Sequence, residues 1–206
     1  IGGIGFPTLM SLSNFNISTI KKEKIKYKVP VQTKIIIKTT LALIILGTLF
    51  TFLNEYNYSL KDLGIWDKVY HAYFQAISAR TAGFNTVDVS HFGYSAIMIF
   101  VLLMFIGAAP GGTGGGLKVT TFVVAVRGIF SLLRGEKQLI IENRAISRDI
   151  IAKALGKTVL SFFVIWFSIY LLSMTEHVKF EKLVFETFSA FGTVGLSLGI
   201  TPDLTP

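Results

Sequence analysis

Residues 74–85 read FQAISARTAGFN, and residues 185–197 read FETFSAFGTVGLS. The two stretches share one pattern, with a single residue inserted before the threonine of the second stretch. The matched pairs are Phe74 with Phe185, Ser78 with Ser189, Ala79 with Ala190, Thr81 with Thr193, and Gly83 with Gly195. Each stretch is a short, half-apolar helical pattern that runs into Thr-x-Gly. Because repetition shapes an architecture more than a single motif does, this pair predicts a fold built from repeats.

The composition indicates a membrane protein. Apolar residues make up 51% of the 206 residues, and phenylalanine alone occurs 18 times. The chain contains no cysteine, which excludes disulfide bonds and thiolate metal sites. It begins without Met and shows no signal-peptide cleavage pattern, so we expect an internal fragment of a longer protein.

Hydropathy divides the sequence into four parts. Residues 1–34 are expected to hold the end of an inner helix of a preceding repeat and a basic cytoplasmic loop. Residues 35–133 are expected to form one complete helix–pore-helix–helix repeat. A cytoplasmic loop is predicted over 134–152, and a partial further repeat over 153–206.

The complete repeat begins with a spanning helix predicted over 35–53, close to the roughly 20 residues that a membrane crossing needs. A pore helix is predicted over 67–79, and a filter segment over 80–86. The apolar run 94–106 is only roughly 20 Å long as a helix, too short to cross alone. A glycine-rich segment follows it before the apolar pattern resumes, which predicts one crossing, 94–133, that is broken near mid-depth.

The partial repeat follows the same order, with a spanning helix over 153–174, a pore helix over 181–190 and a filter segment over 191–197. Irregular backbone within a membrane is tolerated only where it lines a watery cavity. The predicted fold class is therefore all-α integral membrane, with repeated helix–pore-helix–helix units, re-entrant pore loops and one broken helix.

The distribution of charge predicts the orientation. Most of the basic residues lie before the first spanning helix or between residues 118 and 157, whereas 54–93 and 175–206 hold few. By the positive-inside rule the basic connections are cytoplasmic, and both pore loops enter from the extracellular side of the cell membrane. The net charge of +8 is thus explained by topology, and no nucleic-acid partner is expected because no base-reading aromatics lie among the lysines.

The two Thr-x-Gly segments have the chemistry of a cation pore. A helix that ends inside the membrane directs about half a negative charge from its last carbonyls toward the space beyond it. Glycine then permits positive φ, so that successive carbonyls turn toward one axis and replace the hydration shell of an ion. No carboxylate lies in either segment, so selection would rest on carbonyl dipoles. The alternative is that Thr-x-Gly merely turns the chain at a helix end. Two copies, each after a short helix and on the same side of the membrane, weaken this alternative.

These motifs resemble those of the Trk/Ktr/HKT superfamily of potassium transporters, with its KtrB-type membrane subunits. The resemblance rests on RTAGFNT (80–86), FIGAAPGGTGGGLK (105–118) and FSAFGTVGLS (188–197), and it extends over essentially the whole chain. It implies four repeats around one pore. This chain is similar to the end of the second repeat, the whole third repeat, and the fourth repeat as far as its filter.

The resemblance implies which residues form the selectivity filter, with their backbone carbonyls coordinating dehydrated K⁺ as the transported ion. The third filter would consist of Thr81, Ala82, Gly83, Phe84 and Asn85. The fourth would consist of Thr193, Val194, Gly195, Leu196 and Ser197. Some members prefer Na⁺ because a serine replaces a glycine in their first filter. The first filter is not part of this sequence. Transport of Na⁺ or of both ions, and coupling to Na⁺, therefore stay open, and no bound cofactor is expected.

The glycine-rich segment has three interpretations. A phosphate-binding P-loop needs Lys directly after the last glycine and then Ser or Thr, but Leu117 intervenes. Close helix packing needs fewer glycines, since each weakens a helix by up to about 1 kcal/mol. The resemblance implies a gate, a flexible loop below the filter made of Pro110, Gly111, Gly112, Thr113, Gly114, Gly115, Gly116 and Lys118. The Lys118 side chain either extends to the cytosolic interface or bonds loop carbonyls.

The resemblance also implies partners: a second copy of the full-length subunit, a cytosolic nucleotide-binding regulatory subunit like KtrA or TrkA, and membrane lipid. An enzyme is not expected, because no nucleophile–base pair, metal-ligand spacing or phosphate cradle is present in the sequence. Two other classes of function stay open. One is a re-entrant-loop transporter of another solute, and the other is a purely structural membrane subunit.

Overall fold

The computed structural model describes residues 2–20, 28–136 and 138–203. Most of these residues are helical. The helices are α1 Phe6–Ile20, α2 Val31–Glu55, α3 Ile65–Ser78, α4 Tyr94–Phe105, α5 Val119–Leu133, α6 Arg148–Thr175 and α7 Phe180–Gly192. A two-stranded antiparallel sheet, β1 Leu139–Ile141 and β2 Arg144–Ile146, connects α5 to α6. The all-α class is confirmed, with this hairpin as an addition to it.

Among the described helices, α2 and α6 are long and apolar enough to cross a membrane. Their apolar side chains mostly face outward: Leu53 is 61% exposed, Phe163 67% and Trp166 58%. A surface of this kind suits contact with lipid, because soluble proteins rarely expose apolar patches of such size. Both helices extend beyond the predicted 35–53 and 153–174.

The connection predicted as a loop over 134–152 is instead structured. In β1, Leu139 and Ile141 are buried against Ile35 and Ile151, while the side chain between them is exposed. Two residues with positive φ, Glu142 at 48° and Asn143 at 62°, form the turn, as tight hairpins require. Strands of three residues contain too few positions for alternation to show in a sequence.

Residues 148–152 of the predicted loop belong to the start of α6. The first turn of this helix begins after Ser147 and contains Arg148 and Asp149. An acidic residue in the first turn is favourable because it faces the positive end of the helix dipole. A polar first turn does not raise the hydropathy of a segment, so the predicted start of this helix, at residue 153, lies after the observed start at Arg148.

The core lies where α4, α6 and α7 meet. Phe100, Met104 and Phe185 are fully buried there. The ring of Phe105, at the end of α4, lies 4.6 Å from that of Phe162 on α6. The same ring lies 6.1 Å from that of Phe188 on α7, so α7 packs on α4.

The predicted break in the crossing 94–133 lies between α4 and α5, at residues 106–118. The two ends of this segment are paired: the Gly107 amide donates to Leu117 O at 3.0 Å, and the Leu117 amide donates to Phe105 O at 3.0 Å. The chain therefore leaves the helical path and returns to it at almost the same point.

The pore helices extend slightly beyond or before the predicted limits of 67–79 and 181–190, since α3 is Ile65–Ser78 and α7 is Phe180–Gly192. Of the predicted basic loop within 1–34, residues 21–27 lie outside the described residues, as do Lys137 and residues 204–206.

Candidate functional site

The second Thr-x-Gly segment begins where α7 ends, through a left-handed threonine. Thr193 has φ 51° and ψ 42°, and its amide donates to Ala190 O at 3.0 Å. The Val194 amide donates to Ser189 O at 2.9 Å, which completes the hydrogen-bond pattern of a Schellman motif. Glycine usually occupies this position, because left-handed backbone costs other residues about 1–2 kcal/mol.

The first Thr-x-Gly segment follows α3 with a different turn: α3 ends at Ser78, Ala79 stays right-handed, and the left-handed residue is Thr81. Thr81 has φ 76°, and the Gly83 amide donates to Ser78 O at 3.1 Å. Ser78 and Ser189 are a matched pair in the sequence repeat, as are the two threonines. A β-branched residue with positive φ is an uncommon conformation, and its occurrence at both copies indicates a local role beyond turning the chain.

The two segments touch each other. A Cβ atom placed on Gly83, which has φ 73°, would lie 2.1 Å from Val194 O. On Gly195, with φ 90°, the nearest atom to such a Cβ would be Gly83 Cα at 3.9 Å. Gly83 is therefore required both by its backbone conformation and by the approach of a carbonyl, whereas Gly195 is required by conformation alone.

Side chains of α3 hold the backbone that follows the first segment. The Ser78 hydroxyl donates to Phe84 O. Two further hydrogen bonds connect α3 to this stretch. They join Gln75 Nε2 to Val87 O at 3.1 Å and His71 Nδ1 to Thr86 Oγ1 at 2.9 Å.

In α7 a carboxylate holds the residues that follow the second segment. Glu186 accepts hydrogen bonds from the Ser197 hydroxyl at 2.6 Å, the Leu198 amide at 2.9 Å and the Thr201 hydroxyl at 3.0 Å. Glu186 and Gln75 each follow the matched phenylalanine of their repeat. The sequence analysis overlooked both residues, although their equivalent positions were a signal that could have identified them.

The glycine-rich loop contacts the inner ends of both segments. The Gly115 amide donates to Thr193 Oγ1 at 2.6 Å, and the Gly116 amide donates to Phe191 O at 3.1 Å. A Cβ on Gly114 would lie 2.6 Å from Thr81 Cγ2. Two backbone N–H groups of the loop thus point at oxygen atoms of the second Thr-x-Gly segment and of the end of α7.

The loop is also held by two cationic side chains. Lys118 Nζ donates to Gly114 O at 2.6 Å, which is the second of the two alternatives for this residue. Arg80 Nη2 donates to Gly107 O at 3.2 Å, and its Nη1 donates to Thr40 O at 3.4 Å. The contact of Arg80 with Gly107 joins distant parts of the chain and carries no local signal in the sequence. The expected flexible loop is, in this structure, a hydrogen-bonded one.

The two segments offer oxygen atoms and no negative charge. Asp88, which follows the first segment, accepts a hydrogen bond from the Ser90 amide at 2.9 Å, and Glu186 is engaged by the three bonds described above. Within residues 2–20, 28–136 and 138–203 no group of three or more His, Asp or Glu side chains could hold a metal ion. Backbone carbonyls and threonine hydroxyls are therefore the groups that this site can present to a cation, which suits a weakly bound monovalent ion.

Two short helices that each run into a left-handed threonine and a positive-φ glycine, beside a broken helix and its loop, define a specific architecture. The family model TrkH, described as a cation transport protein, matches residues 1–206. The chain belongs to the TrkH family. The family is one of transport proteins, so the expectation that the chain is not an enzyme is confirmed.

Individual relatives of this TrkH-family chain agree. It is 42% identical over 206 residues to the Ktr system potassium uptake protein B of Bacillus subtilis, covering 99% of the chain and 44% of that protein. It is 29% identical over 209 residues to the potassium/sodium uptake protein NtpJ of Enterococcus hirae, covering 99% and 45%. The chain thus spans less than half the length of these relatives.

The fold agrees with that of a solved structure. The crystal structure of the potassium transporter TrkH from Vibrio parahaemolyticus superposes with a TM-score of 0.65, over 95% of this chain and 45% of that chain. The sequence identity is 19%, so this likeness concerns the fold alone.

The structure places the predicted site residues of the TrkH-family chain in two groups. The filter residues that are buried or half-buried are Thr81, Gly83, Val194, Leu196 and Ser197, and those that are exposed are Ala82, Phe84, Asn85, Thr193 and Gly195. In the loop, the exposed residues are Gly111 and Thr113, and those at least half-buried are Pro110, Gly112, Gly114, Gly115, Gly116 and Lys118. Contact between the filters is made at Gly83, Val194 and Gly195.

Proposed function

We propose that this chain is part of the ion-conducting subunit of a Ktr/Trk-type system that takes up K⁺ across the cell membrane. The observation that carries the proposal is the contact between two segments, Thr81–Gly83 and Thr193–Gly195. Each follows a short helix and combines a left-handed threonine with a glycine at positive φ. Relatives whose names describe potassium uptake support the choice of ion.

In this proposal, a dehydrated K⁺ ion is coordinated by the carbonyl groups of the two filter segments. The left-handed threonines and glycines turn successive carbonyls to one side. Ser78 and Glu186 hold the segments from behind, so that the carbonyls keep their spacing when an ion leaves. The last carbonyls of α3 and α7 add a favourable field for a cation.

The glycine-rich loop acts as the gate in this proposal. Its support is the pair of N–H groups of Gly115 and Gly116 that donate to Thr193 Oγ1 and Phe191 O. While these bonds exist, the positive ends of two peptide dipoles lie where the innermost cation would be bound. Opening requires that the loop withdraw, and the Gly residues permit it because they lack side chains that would obstruct the movement.

The pore is completed by segments beyond this chain, which spans 44% of its Bacillus subtilis relative. We propose two copies of the full-length subunit, surrounded by lipid, with a cytosolic nucleotide-binding subunit that moves the loop. The basic connections face the cytosol and the filter segments open to the outside, as the distribution of charge favours.

A matched pair of substitutions tests conduction. Gly195 and Gly199 both have positive φ, 90° and 84°, and a Cβ on either would meet no atom closer than 3.9 Å. They differ in that only Gly195 belongs to the filter. In cells that lack K⁺ uptake, full-length protein with Gly199→Val is expected to restore growth at low K⁺, whereas Gly195→Val is expected to abolish it. Restored growth with both variants, at equal membrane abundance, would contradict a filter at Thr193–Gly195.

A second ion is favoured by one observation. The Enterococcus hirae relative is named for both potassium and sodium. Measurement of uptake with K⁺ and Na⁺ in the same cells distinguishes the alternatives. Equal rates for the two ions would support a member that transports both.

A further inference from the structure

A cavity of about 570 Å³ lies between the starts of α2, α5 and α6 and the β-hairpin, away from the filter segments. Its charged lining residues are all cations: Arg144 of β2, and Lys153 and Lys157 of α6. No Asp or Glu is among the described residues that line it. The cavity therefore has one sign of charge.

Among the described residues, no carboxylate forms an ion pair with any of these three cations, and the hairpin carboxylate of Glu142 pairs instead with Lys38. Lys153 and Lys157 are one helical turn apart on α6, where like charges repel each other. An arrangement of this kind favours a bound anion, since converging cations raise the local positive potential.

A second cavity of about 570 Å³ continues along the same helices. It is lined by apolar side chains, among them Leu43, Phe122 and Phe162, with Thr158 as the polar exception. Consecutive residues of α6 line the two cavities, Lys157 the first and Thr158 the second. On α2, the step from Ile35 in the first cavity to Leu43 in the second is about 12 Å along the helix.

We propose that the two cavities together bind one anionic phospholipid of the cytoplasmic leaflet. The phosphate of its headgroup lies among Arg144, Lys153 and Lys157, and one acyl chain occupies the apolar cavity. Anionic lipids are abundant in that leaflet, and basic pockets between membrane helices bind their headgroups. The apolar cavity along the same three helices favours a lipid over a soluble anion. This inference rests on the membrane embedding and orientation proposed above.

The site lies beside the broken helix. Thr120 and Thr121 of α5 line the basic cavity, whereas Phe105 and Ile106, at the end of α4, line the apolar one. The lipid would thus contact both flanks of the glycine-rich loop. Lipid bound there stabilises the arrangement of α4 and α5 that the structure shows, independently of which ion is carried.

The experiment measures binding rather than transport. Full-length protein, purified in a neutral detergent and freed of native lipid, is titrated with palmitoyl-oleoyl-phosphatidylglycerol while its thermal unfolding midpoint is recorded. We expect the midpoint to rise with this lipid and to change little with palmitoyl-oleoyl-phosphatidylcholine. In the Lys153→Gln/Lys157→Gln double variant, we expect the half-maximal lipid concentration to increase about tenfold or more, since each basic residue near the headgroup contributes.

The control is Lys28→Gln/Lys34→Gln, which removes the same charge from exposed lysines that precede or begin α2 and do not line the cavity. It is expected to respond to phosphatidylglycerol as the unmodified protein does. An equal response of both double variants would overturn the proposal, as would an equal response to phosphatidylcholine. Equal stabilisation by inorganic phosphate or glycerol 3-phosphate would also overturn it, because a soluble anion would then suffice. None of these results depends on K⁺ uptake.

Discussion

At the scale of single residues, Thr193 combines two tasks. Its left-handed backbone ends α7, and its hydroxyl oxygen accepts the Gly115 amide at 2.6 Å. Serine can perform both tasks, whereas valine preserves the shape and removes the acceptor. The bond is exposed, and a hydrogen bond of this kind contributes about 0.5–1.5 kcal/mol net. The loop contact therefore depends on one oxygen atom more than on the volume of the side chain.

We predict that Thr193→Val weakens the closed position of the loop. A loss of about 1 kcal/mol corresponds to roughly a fivefold change in the closed-to-open ratio. Basal K⁺ flux of the full-length protein, measured in vesicles without the regulatory subunit, should rise by about that factor. Thr193→Ser is the matched control and should retain the original flux. If Val and Ser variants conduct alike, the hydroxyl does not hold the loop.

At the scale of elements, the spanning and pore helices could be predicted to within a few residues. Apolar runs of fixed length, and a repeated pattern ending in Thr-x-Gly, allow few other arrangements. The contacts of the glycine-rich loop could not be predicted. Gly115 and Thr193 are 78 residues apart, and nothing local to either residue specifies the other. The bond between Arg80 and Gly107 is of the same kind.

The β-hairpin was missed for a different reason. The hairpin is stabilised by the burial of Leu139 and Ile141. An ion pair between Glu142, in the turn, and Lys38 of α2 also stabilises it. Strands of three residues have too little pattern to be recognised, and the ion pair joins distant parts of the chain. The hairpin attaches the start of α6 to α2 and so borders the basic cavity.

The ion pair of the hairpin predicts a dependence on pH. The hydrogen bond from Lys38 lowers the pKa of Glu142 below the ordinary glutamate value of about 4.3. A carboxylate with a lowered pKa stabilises the folded state above its unfolded pKa, and that contribution is lost as the pH falls through the folded pKa. Glu142→Gln should therefore lower the thermal midpoint slightly at pH 7, and the difference from the unmodified protein should shrink as the pH falls below about 4.3 and through the lowered pKa.

Glu136→Gln serves as the control for this pH dependence. Glu136 is exposed at the end of α5, and its side chain forms no ion pair within the described residues. Its substitution should leave the midpoint unchanged at every pH. A Glu142→Gln difference that persists unchanged at pH 3.5 would show that the pair with Lys38 does not stabilise the hairpin.

At the scale of the whole molecule, the two repeats are neighbours around a common centre. The broken helix of the first repeat packs on α7 of the second, and Gly83 faces the carbonyl of Val194. Because the two proposed filter segments contact each other, we expect both of them to enter the membrane from the same side. The connection from α2 to α3 and the connection from α6 to α7 then lie together on that side, opposite to the hairpin.

This arrangement predicts which positions a membrane-impermeant reagent reaches. The chain contains no cysteine, so single cysteines can be introduced without background from this region. Asn57, His177 and Ser147 are exposed and lie after α2, after α6 and before α6, respectively. In intact cells that produce the full-length protein, with any other cysteine replaced, Asn57→Cys and His177→Cys should react with an impermeant maleimide. Ser147→Cys should react only after the membrane is permeabilised, because it lies in a connection rich in Lys and Arg. Labelling of Ser147→Cys in intact cells would contradict the proposed orientation, and labelling of only one outer position would contradict the common entry side of the two filters.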